Sequence, residues 1–290
     1  MDNSLMLYLY DAQMANPNGD PDEENRPRMD DERNINLVSD LRLKRYIRDY
    51  LLDKGHELYV QKIEGKPVTA EERIKDLKNA DDKTIFERFI DIRLFGATVS
   101  VKNDNRAFIG PVQFNWGYSL NKVELLESSI TSHFASSSSN RQGAMGKDYR
   151  VKYSFIAFSG VISGKRAEFT DLSANDIKLL DEAMKKAIPL QTTRSKIGQT
   201  PRLYLRVEFK DNETMLNDLR NYIDLISYEE SLRSINECAL ECGRLKEYLV
   251  KNKDLIKNIY LFQDEELKTL ENGETRHVKD ILNCFSVQEI

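Results

Sequence analysis

Residues 16–31 are the segment that most restricts how this chain can fold. They read Asn-Pro-Asn-Gly-Asp-Pro-Asp-Glu-Glu-Asn-Arg-Pro-Arg-Met-Asp-Asp and follow a run, residues 5–10, in which leucines alternate with Met and Tyr. Three prolines prevent a helix, Gly19 permits a positive φ, and the Asn and Asp side chains can bond their own backbone. The pattern predicts a strand followed by an ordered, irregular loop, a place where scaffolds carry functional residues.

The acidic residues of this loop raise the question of a metal site. Side-chain oxygens occupy alternate positions, at Asn16, Asn18, Asp20 and Asp22. The calcium-loop pattern fails, because position twelve is Pro27 rather than Glu and a strand precedes the loop. A carboxylate nuclease that used Asp20, Asp22 or Asp30 would need a second metal-holding cluster, which the sequence does not show. We favour the interpretation that these acids bond the loop backbone and neighbouring subunits. We expect neither a metal nor a cofactor.

Composition favours a globular protein of the cytoplasm. With 290 residues, 40% of them hydrophobic, the chain can bury a large core as one or two domains. No run approaches the roughly 18–20 apolar residues of a membrane span, and no secretory signal is evident. Three cysteines do not make a disulfide framework, which favours a reducing compartment. Cys238 and Cys242 lie four apart on a predicted helix, and we expect core thiols rather than metal ligands there.

Charge is distributed unevenly along the chain. The net charge is −5, but residues 211–290 hold 10 Lys and Arg against 17 Asp and Glu, so the preceding part is slightly positive. Local clusters matter more than the total, because screening restricts attraction to about 10 Å. The basic residues fall into three groups: Arg42, Lys44, Arg45 and Arg48; Arg141, Lys147, Arg150 and Lys152; and Arg194, Lys196 and Arg202. Asp40 and Asp49 supply only two acids to the first group, which favours phosphate contact there.

The rest of the chain alternates between predicted strands and helices. Strands are expected at 5–10, within 107–120 before a turn at Gly117, at 151–162, and at 203–209 with one solvent-exposed face. Helices are expected at 37–52, at 85–94 ending near Gly96, and from Ser173, with Asp176 completing a capping box. Residues 62–83 suggest an insertion or surface helix, 128–147 a flexible basic loop, and 214–256 an acidic helical region. The order of elements predicts an α+β fold with a ferredoxin-like, split βαβ core.

Two further patterns suggest nucleic acid. Gly143-Ala-Met-Gly146-Lys147 lacks the first glycine and the Ser or Thr of a nucleotide-hydrolysing phosphate loop, yet such a loop can hold a sugar-phosphate backbone. Residues 153–158, Tyr-Ser-Phe-Ile-Ala-Phe, match half of the RNA-recognition-motif strand signature. Aromatics on a central strand are more often core than a base-stacking platform.

Taken in order, five motifs resemble those of the CRISPR-associated Cas-seven family, the backbone subunit of type I surveillance (Cascade) complexes. They are the segment 16–31; Leu43-Lys-Arg-Tyr-Ile-Arg48; Asp91-Ile-Arg-Leu-Phe-Gly-Ala97; Arg141-Gln-Gly-Ala-Met-Gly-Lys147; and Arg194-Ser-Lys-Ile-Gly-Gln199. The resemblance spans residues 4–210, and is greatest for subtype I-B (Csh-like), with subtype I-C close behind.

The resemblance implies a modified RNA-recognition-motif palm, at about 1–60 and 100–215, with inserted helical fingers at about 61–99, a thumb loop, and the acidic C-terminal region from about 214. Copies stack head to tail along the CRISPR guide RNA, which stays free to pair with the target DNA strand. Other Cascade subunits, of the Cas-five, Cas-six and Cas-eight types, and a recruited helicase-nuclease are the further implied partners. Type I relatives do not cut, so the resemblance implies a protein that is not an enzyme.

The same resemblance implies which residues bind RNA. They are Arg26, Arg28, Arg42, Lys44, Arg45, Arg48, Arg141, Gln142, Gly143, Met145, Gly146, Lys147, Arg194, Ser195 and Lys196. Met145 is the candidate apolar wedge, and Arg194 and Lys196 belong to the thumb or its base. Two alternatives stay open: a metal-dependent ribonuclease subunit of type III character that uses Asp20 or Asp30, and a calcium-stabilised binding module.

Overall fold

The computed structural model describes residues 1–77, 81–101, 104–135 and 143–290. The strands are β1 (Ser4–Ala15), β2 (Gly19–Asp20), β3 (Arg26–Pro27), β4 (Met29–Asp30), β5 (Ile35–Val38), β6 (Gly96–Val101), β7 (Asp104–Ile109), β8 (Val112–Phe114), β9 (Gly117–Ser119), β10 (Leu125–Ala135), β11 (Gly143–Ile162), β12 (Gln199–Phe209), β13 (Asp224–Ser227), β14 (Cys238–Glu241), β15 (Ile256–Gln263), β16 (Thr269–Glu271), β17 (Glu274–Thr275) and β18 (Val287–Glu289). The helices are α1 (Asp40–Asp53), α2 (Ala70–Arg73), α3 (Asp82–Arg88), α4 (Ile90–Phe95), α5 (Gly164–Phe169), α6 (Ala174–Lys186), α7 (Gly243–Lys251) and α8 (Val278–Ile281).

The predicted α+β class is confirmed. Ten of the described strands form one large sheet in the order β18-β15-β12-β1-β11-β9-β5-β4, with β8 and β10 also pairing with β11. A second sheet has the order β13-β14-β16-β17, and β2 with β3 and β6 with β7 form separate pairs. Along the chain, β1, α1, β9, β11, α6 and β12 follow one another as β-α-β-β-α-β, and in space β1 lies between β11 and β12. This is the expected ferredoxin-like order. Both pairings of β1 are antiparallel, with Leu7 opposite Ser159 on one side and Leu205 on the other.

Both faces of the central sheet are covered. On one face Tyr8 and Tyr10 pack with residues of α1 and α6, such as Ile47 and Leu180. On the opposite face Leu7, Leu9 and Leu205 pack with C-terminal residues that include Leu240 and Leu249. The alternation of β1 therefore does not separate a buried face from a wet one.

The expectation of a solvent-exposed face on 203–209 is wrong. Tyr204 and Arg206, on that face of β12, are buried. The Tyr204 hydroxyl donates to Asp181 of α6 at 2.8 Å, and the Arg206 guanidinium pairs with the same carboxylate at 2.6 Å. Polar side chains there meet α6 rather than water.

Residues 59–99 contain a separate small core. Tyr59, Phe86, Phe89 and Val99 belong to this cluster, away from the two faces of the main sheet. The expected helix at 85–94 is divided into α3 and α4, because Phe89 between them is extended (φ −110°, ψ 102°). α4 does end at Gly96, as predicted, where φ is +74° and a Cβ would lie 2.1 Å from the Phe108 carbonyl oxygen.

Three further expectations from the sequence are wrong. The described residues of 128–147, at 128–135 and 143–147, belong to β10 and β11, which pair antiparallel with Ile130 opposite Gly146 rather than forming a loop. The serine run at 136–139, on which the loop prediction also rested, lies outside the described residues. Gly117 lies in β9 rather than in a turn, and glycine is required because a Cβ would lie 2.3 Å from the Phe158 ring. Residues 214–256 are largely non-helical: Cys238 is in β14 and Cys242 directly precedes α7, although both thiols are buried as expected.

The predicted helix boundaries were within about three residues for α1 and correct for the start of α6. α1 begins at Asp40 rather than 37, with the Ser39 side chain accepting from the Arg42 amide, and residues 37–38 belong to β5. Ser173 and Asp176 form the expected capping box at the start of α6. No helix within the described residues is both long enough and apolar enough to cross a membrane.

Candidate nucleic-acid interface

The opening loop is ordered by its own polar groups. Gly19 of β2 pairs with Pro27 of β3, and a Cβ at Gly19 would lie 2.8 Å from the Asn25 carbonyl oxygen, so close approach rather than a positive φ requires glycine there. Asp20 accepts from the Asp22 amide at 3.1 Å and pairs with the Arg28 guanidinium at 2.6 Å. Asp20 thus bonds within the loop, as the sequence suggested, whereas Glu24 contacts Lys147 and Tyr149 of β11. Contacts of the loop acids with neighbouring subunits stay a prediction.

This loop forms one wall of an open cleft of about 480 Å³. The other walls come from the start of α1, from β11, and from the connection between α6 and β12. The cleft is lined by Asn16, Asn18, Gly19, Glu24, Asn25, Arg42, Lys147, Asp148, Tyr149, Thr193, Arg194, Ser195 and Lys196. One residue or more from each of the three basic groups of the sequence therefore meets the others here.

Two of the four basic residues in the cleft, Lys147 and Arg194, form ion pairs with carboxylates. Lys147 Nζ lies 3.1 Å from Glu127 and 3.8 Å from Glu24. Glu127 first, and then the Tyr149 hydroxyl, raise the pKa of Lys147 above its usual value. The exposed Arg194 pairs with Asp148 at 3.0 Å. Such surface pairs are weak and exchange readily for other anions.

The other two basic residues of the cleft, Arg42 and Lys196, have different surroundings. The Arg42 guanidinium lies 4.4 Å from the centre of the Tyr46 ring, and its buried Nε has no hydrogen-bond partner in the described structure. Lys196 Nζ donates to the carbonyl oxygens of Asn16 and Pro17. Burial, together with the nearby charge of Arg42, lowers the pKa of Lys196 to about 7.

Three predicted RNA-binding residues of α1 point away from the cleft into ion pairs. Lys44 is 7% exposed and bonds Asp40 and Gln113, at 3.1 and 2.8 Å. Arg48 Nε pairs with the buried Asp91 at 3.0 Å, while the more exposed Arg45 pairs with Asp49 at 2.7 Å. The sequence counted only two acids against this group, because Asp91 is distant along the chain.

The remaining predicted residues lie beside the cleft or outside the described chain. Arg26 is exposed on β3, and Arg28 is held by Asp20. Gly143, Met145 and Gly146 belong to the part of β11 that pairs with β10. Arg141 and Gln142 lie outside the described residues. Of the wider basic groups, Arg150 and Lys152 pair with Asp148 and Glu124, and the buried Arg202 pairs with Asp11, Asp264 and Glu266.

A two-stranded arm extends from the sheet next to the cleft. β1 pairs with β11 no further than Ala15 opposite Val151, and residues 143–150 continue the pairing with β10 alone. Eight residues of strand reach about 27 Å. A two-stranded ribbon is marginally stable alone, so this arm suits contact with another molecule.

Sequence reasoning missed several cleft residues. Asp148, Tyr149 and Thr193 were not singled out, and Asn16 and Asn18 were considered as calcium ligands, as residues that bond the loop backbone and as part of a family motif, but not as RNA-binding residues. Asn16 donates to the carbonyls of Asn25 and Tyr149, at 2.6 and 3.2 Å, which attaches the loop to β11. For Asp148, Tyr149 and Thr193, the signal available in the sequence was their position next to the predicted RNA-binding residues Lys147 and Arg194. Among the described residues, no three potential ligands of the His, Cys, Asp or Glu types form a group suited to a metal ion.

A β-α-β-β-α-β sheet with a basic cleft beside it is typical of proteins that bind single-stranded nucleic acids. The family model described as "CRISPR-associated protein Cas7" matches residues 2–243. A curated CRISPR-associated protein Cas7 from Haloferax volcanii is 37% identical over 308 residues, covering 95% of this chain and 91% of the relative. The chain therefore belongs to the Cas7 family, and the resemblance seen in the sequence is confirmed.

Solved structures share the fold. A chain of a "CRISPR RNA-guided surveillance complex, pre-nicking" superposes with a TM-score of 0.57 at 11% identity, covering 97% of this chain and 98% of that one. A chain of a second "CRISPR RNA-guided surveillance complex" gives 0.50 at 13% identity, with coverage of 91% and 90%. The assignment to subtype I-B rather than I-C stays a prediction.

Proposed function

We propose that this protein is the RNA-binding backbone subunit of a type I CRISPR surveillance complex, assembling head to tail along the guide RNA. The observation that carries the proposal is the cleft, where Arg42, Lys147, Arg194 and Lys196 converge from distant parts of the chain. Basic side chains grouped together, with no aromatic platform for stacking nucleobases among the described cleft residues, are suited to bind the sugar-phosphate backbone of RNA. Such binding would leave the nucleobases free to pair with a target DNA strand. Membership of the Cas7 family supports the same function.

The cleft residues are our first choice for direct phosphate contact, joined by Arg26 at the rim. Lys44 and Arg48 would have to leave nearly buried ion pairs to reach RNA. We assign Lys44 to holding α1 against β8, through Gln113, and Arg48 to holding α1 against α4, through Asp91. Met145 on the arm is retained as the candidate wedge between nucleotides.

The assembly implies several contacts. The arm of β10 and β11 is suited to reach a neighbouring copy, and Cas-five, Cas-six and Cas-eight type subunits with a recruited helicase-nuclease complete the proposed set of partners. We retain the proposed palm at about 1–60 and 100–215. The fingers at about 61–99 are supported by the separate core around Phe86 and Phe89.

We propose no catalytic role. Asp20 is engaged by Arg28 and by the Asp22 amide, and Asp30 accepts from the Arg33 amide at 3.2 Å, so both acids have structural roles in the loop. Incubating the assembled complex with RNA and Mg²⁺ or Mn²⁺ should leave the RNA intact. Cleavage at regular intervals that Asp20→Asn abolishes would instead support the ribonuclease alternative.

A matched pair of arginines tests RNA binding. Arg194 in the cleft and Arg244 on the C-terminal region are similarly exposed, at 61% and 57%, and each forms a 3.0 Å ion pair. Arg194→Gln should weaken binding to RNA of any sequence and lower the salt slope by about 0.7, the value for one phosphate contact with a single strand. Arg244→Gln should change neither quantity.

Co-expression with a CRISPR array and the neighbouring subunits provides the test in the assembled state. The wild-type chain should co-purify with one homogeneous RNA that contains repeat sequence, and Arg194→Gln should reduce its yield relative to Arg244→Gln. A wild-type complex without RNA, or equal effects of the two substitutions, would contradict the proposal.

A further inference from the structure

The inner end of the cleft contains two cations without a counter-ion. Among the described residues, Arg42 and Lys196 form no ion pair, whereas the neighbouring Lys147 and Arg194 do. Arg42 Nε also lacks any hydrogen-bond partner there. The positive charge of Arg42 disfavours a second charge on the partly buried Lys196, so an anion bound by both side chains would stabilise the charged form of Lys196.

The groups facing Lys196 do not neutralise it. They come from the opening loop, from α1, from β11 and from its own connection: Asn16, Pro17, Glu24, Arg42, Tyr46, Lys147, Asp148 and Arg194. The two acids in this set are already paired, Glu24 with Lys147 and Asp148 with Arg150 and Arg194. Lys196 itself has only carbonyl partners, which carry partial charge.

We propose that Arg42 and Lys196 form a subsite for one phosphodiester of the bound RNA, and that filling this subsite adds a proton from solvent to Lys196. A phosphodiester is an acceptor that keeps one negative charge at neutral pH, which matches two basic side chains that form no ion pair among the described residues. The neutral amine of Lys196 takes up H⁺, and the resulting ammonium pairs with the phosphate oxygen. The inference rests on the proposed RNA-binding function and adds a linkage between that binding and pH.

The direction of the linkage follows from the free protein. With a pKa of about 7, Lys196 is mostly neutral above neutral pH. Because the bound phosphate favours the charged form, RNA affinity should rise as pH falls from 9 towards 7, approaching tenfold per pH unit, and level off below about pH 7. At pH 7.5, about three-quarters of a proton should be taken up for each subsite filled.

Isothermal titration calorimetry measures this proton directly. The full-length chain is titrated with a single-stranded oligouridylate at constant ionic strength, in buffers of different ionisation enthalpy, at pH 7.5 and 6.0. Uptake should be about three-quarters of a proton at pH 7.5 and about one-tenth at pH 6.0. Phosphate buffer is avoided because it would compete for the subsite.

Two variants and one control assign the proton to Lys196. Lys196→Arg should bind RNA with no uptake at either pH, because its charge is permanent. Lys196→Met should also show no uptake and bind more weakly at pH 6.0, whereas Arg244→Gln, outside the cleft, should retain the wild-type uptake. Circular dichroism first establishes that each variant is folded, and the wild-type measurement is decisive on its own if both Lys196 variants unfold.

The possible failures are distinguishable. RNA binding by the wild type without proton uptake would overturn this inference and leave the proposed function intact, as would undiminished uptake in Lys196→Met. Absence of RNA binding at every pH would contradict the proposed function itself.

Discussion

Replacing Arg48 by Met separates a structural role from an RNA-binding role. Arg48 is one of three donors to the Asp91 carboxylate, at 3.0 Å, beside the backbone amides of Tyr59 at 2.7 Å and Val60 at 3.1 Å. The Arg48 guanidinium also lies 5.1 Å from the centre of the Phe95 ring. The pair thus attaches α1 to the start of the region that contains the small core.

The expected loss of unfolding free energy depends on the hydrogen bonds that Asp91 keeps after Arg48 is replaced. Removing one partner of a buried ion pair costs about 3–5 kcal/mol when the other charge is left without compensation. Asp91 is 1% exposed but keeps two amide donors, so we expect Arg48→Met to lower the free energy of unfolding by about 1.5–3 kcal/mol, the range for a hydrogen bond to a charged group.

Urea unfolding measures this loss, and the same helix supplies the control. Arg45 pairs with Asp49 through the same Nε to Oδ geometry at 2.7 Å, but its side chain is 51% exposed. Arg45→Met should therefore cost less than about 0.5 kcal/mol. A double-mutant cycle that combines Arg48→Met with Asp91→Asn should give a coupling energy of about 1.5–3 kcal/mol between Arg48 and Asp91. Asp91→Asn also alters the hydrogen bond from the Val60 amide, but both proteins that carry this substitution share that change, so it cancels in the cycle.

RNA binding provides the refuting result. For folded protein, Arg48→Met should change RNA affinity less than twofold, because the guanidinium is already occupied. An unchanged unfolding free energy combined with a tenfold weaker affinity would show that Arg48 contacts phosphate, as the sequence suggested, and that the ion pair does not anchor α1.

Three further outcomes are expected. Gly117→Ala should destabilise the fold by about 2–3 kcal/mol in urea unfolding, because its Cβ would overlap the buried Phe158 ring at 2.3 Å; a neutral effect would mean that this contact relaxes freely. Ser173→Ala should cost about 1 kcal/mol through loss of the cap on the Asp176 amide, measured in the same way, and Ser173→Asp should recover most of it. Lys196 has a lowered pKa in the folded state, so folding releases its proton between about pH 7 and 10 and stability rises with pH there. Relative to Lys196→Met, the wild type should gain about 1 kcal/mol between pH 7 and 8, and parallel curves for the two proteins would contradict this.

The sequence alone identified those features that depend on neighbours along the chain. The Ser173 cap, the end of α4 at Gly96 and the ordered opening loop are set by φ preferences and by hydrogen bonds between residues a few positions apart. The α+β class followed from the order of such segments, and the family from the resemblance of five motifs to those of known members. Pairing across the sheet is not local, and for that reason the hairpin of β10 and β11 and the strands after residue 214 were read as loop and helix.

Tertiary structure decided which charges are available to a ligand. Along the chain, Arg42 and Arg48 belong to one basic stripe and are indistinguishable. In space, Arg48 meets Asp91 from a later helix, whereas Arg42 meets Lys196 and no acid among the described residues. Ion pairing depends on distance through space and on desolvation, and neither quantity can be read from spacing in the sequence. The basic residues were therefore visible in the sequence, and the cleft that leaves two of them unpaired was not.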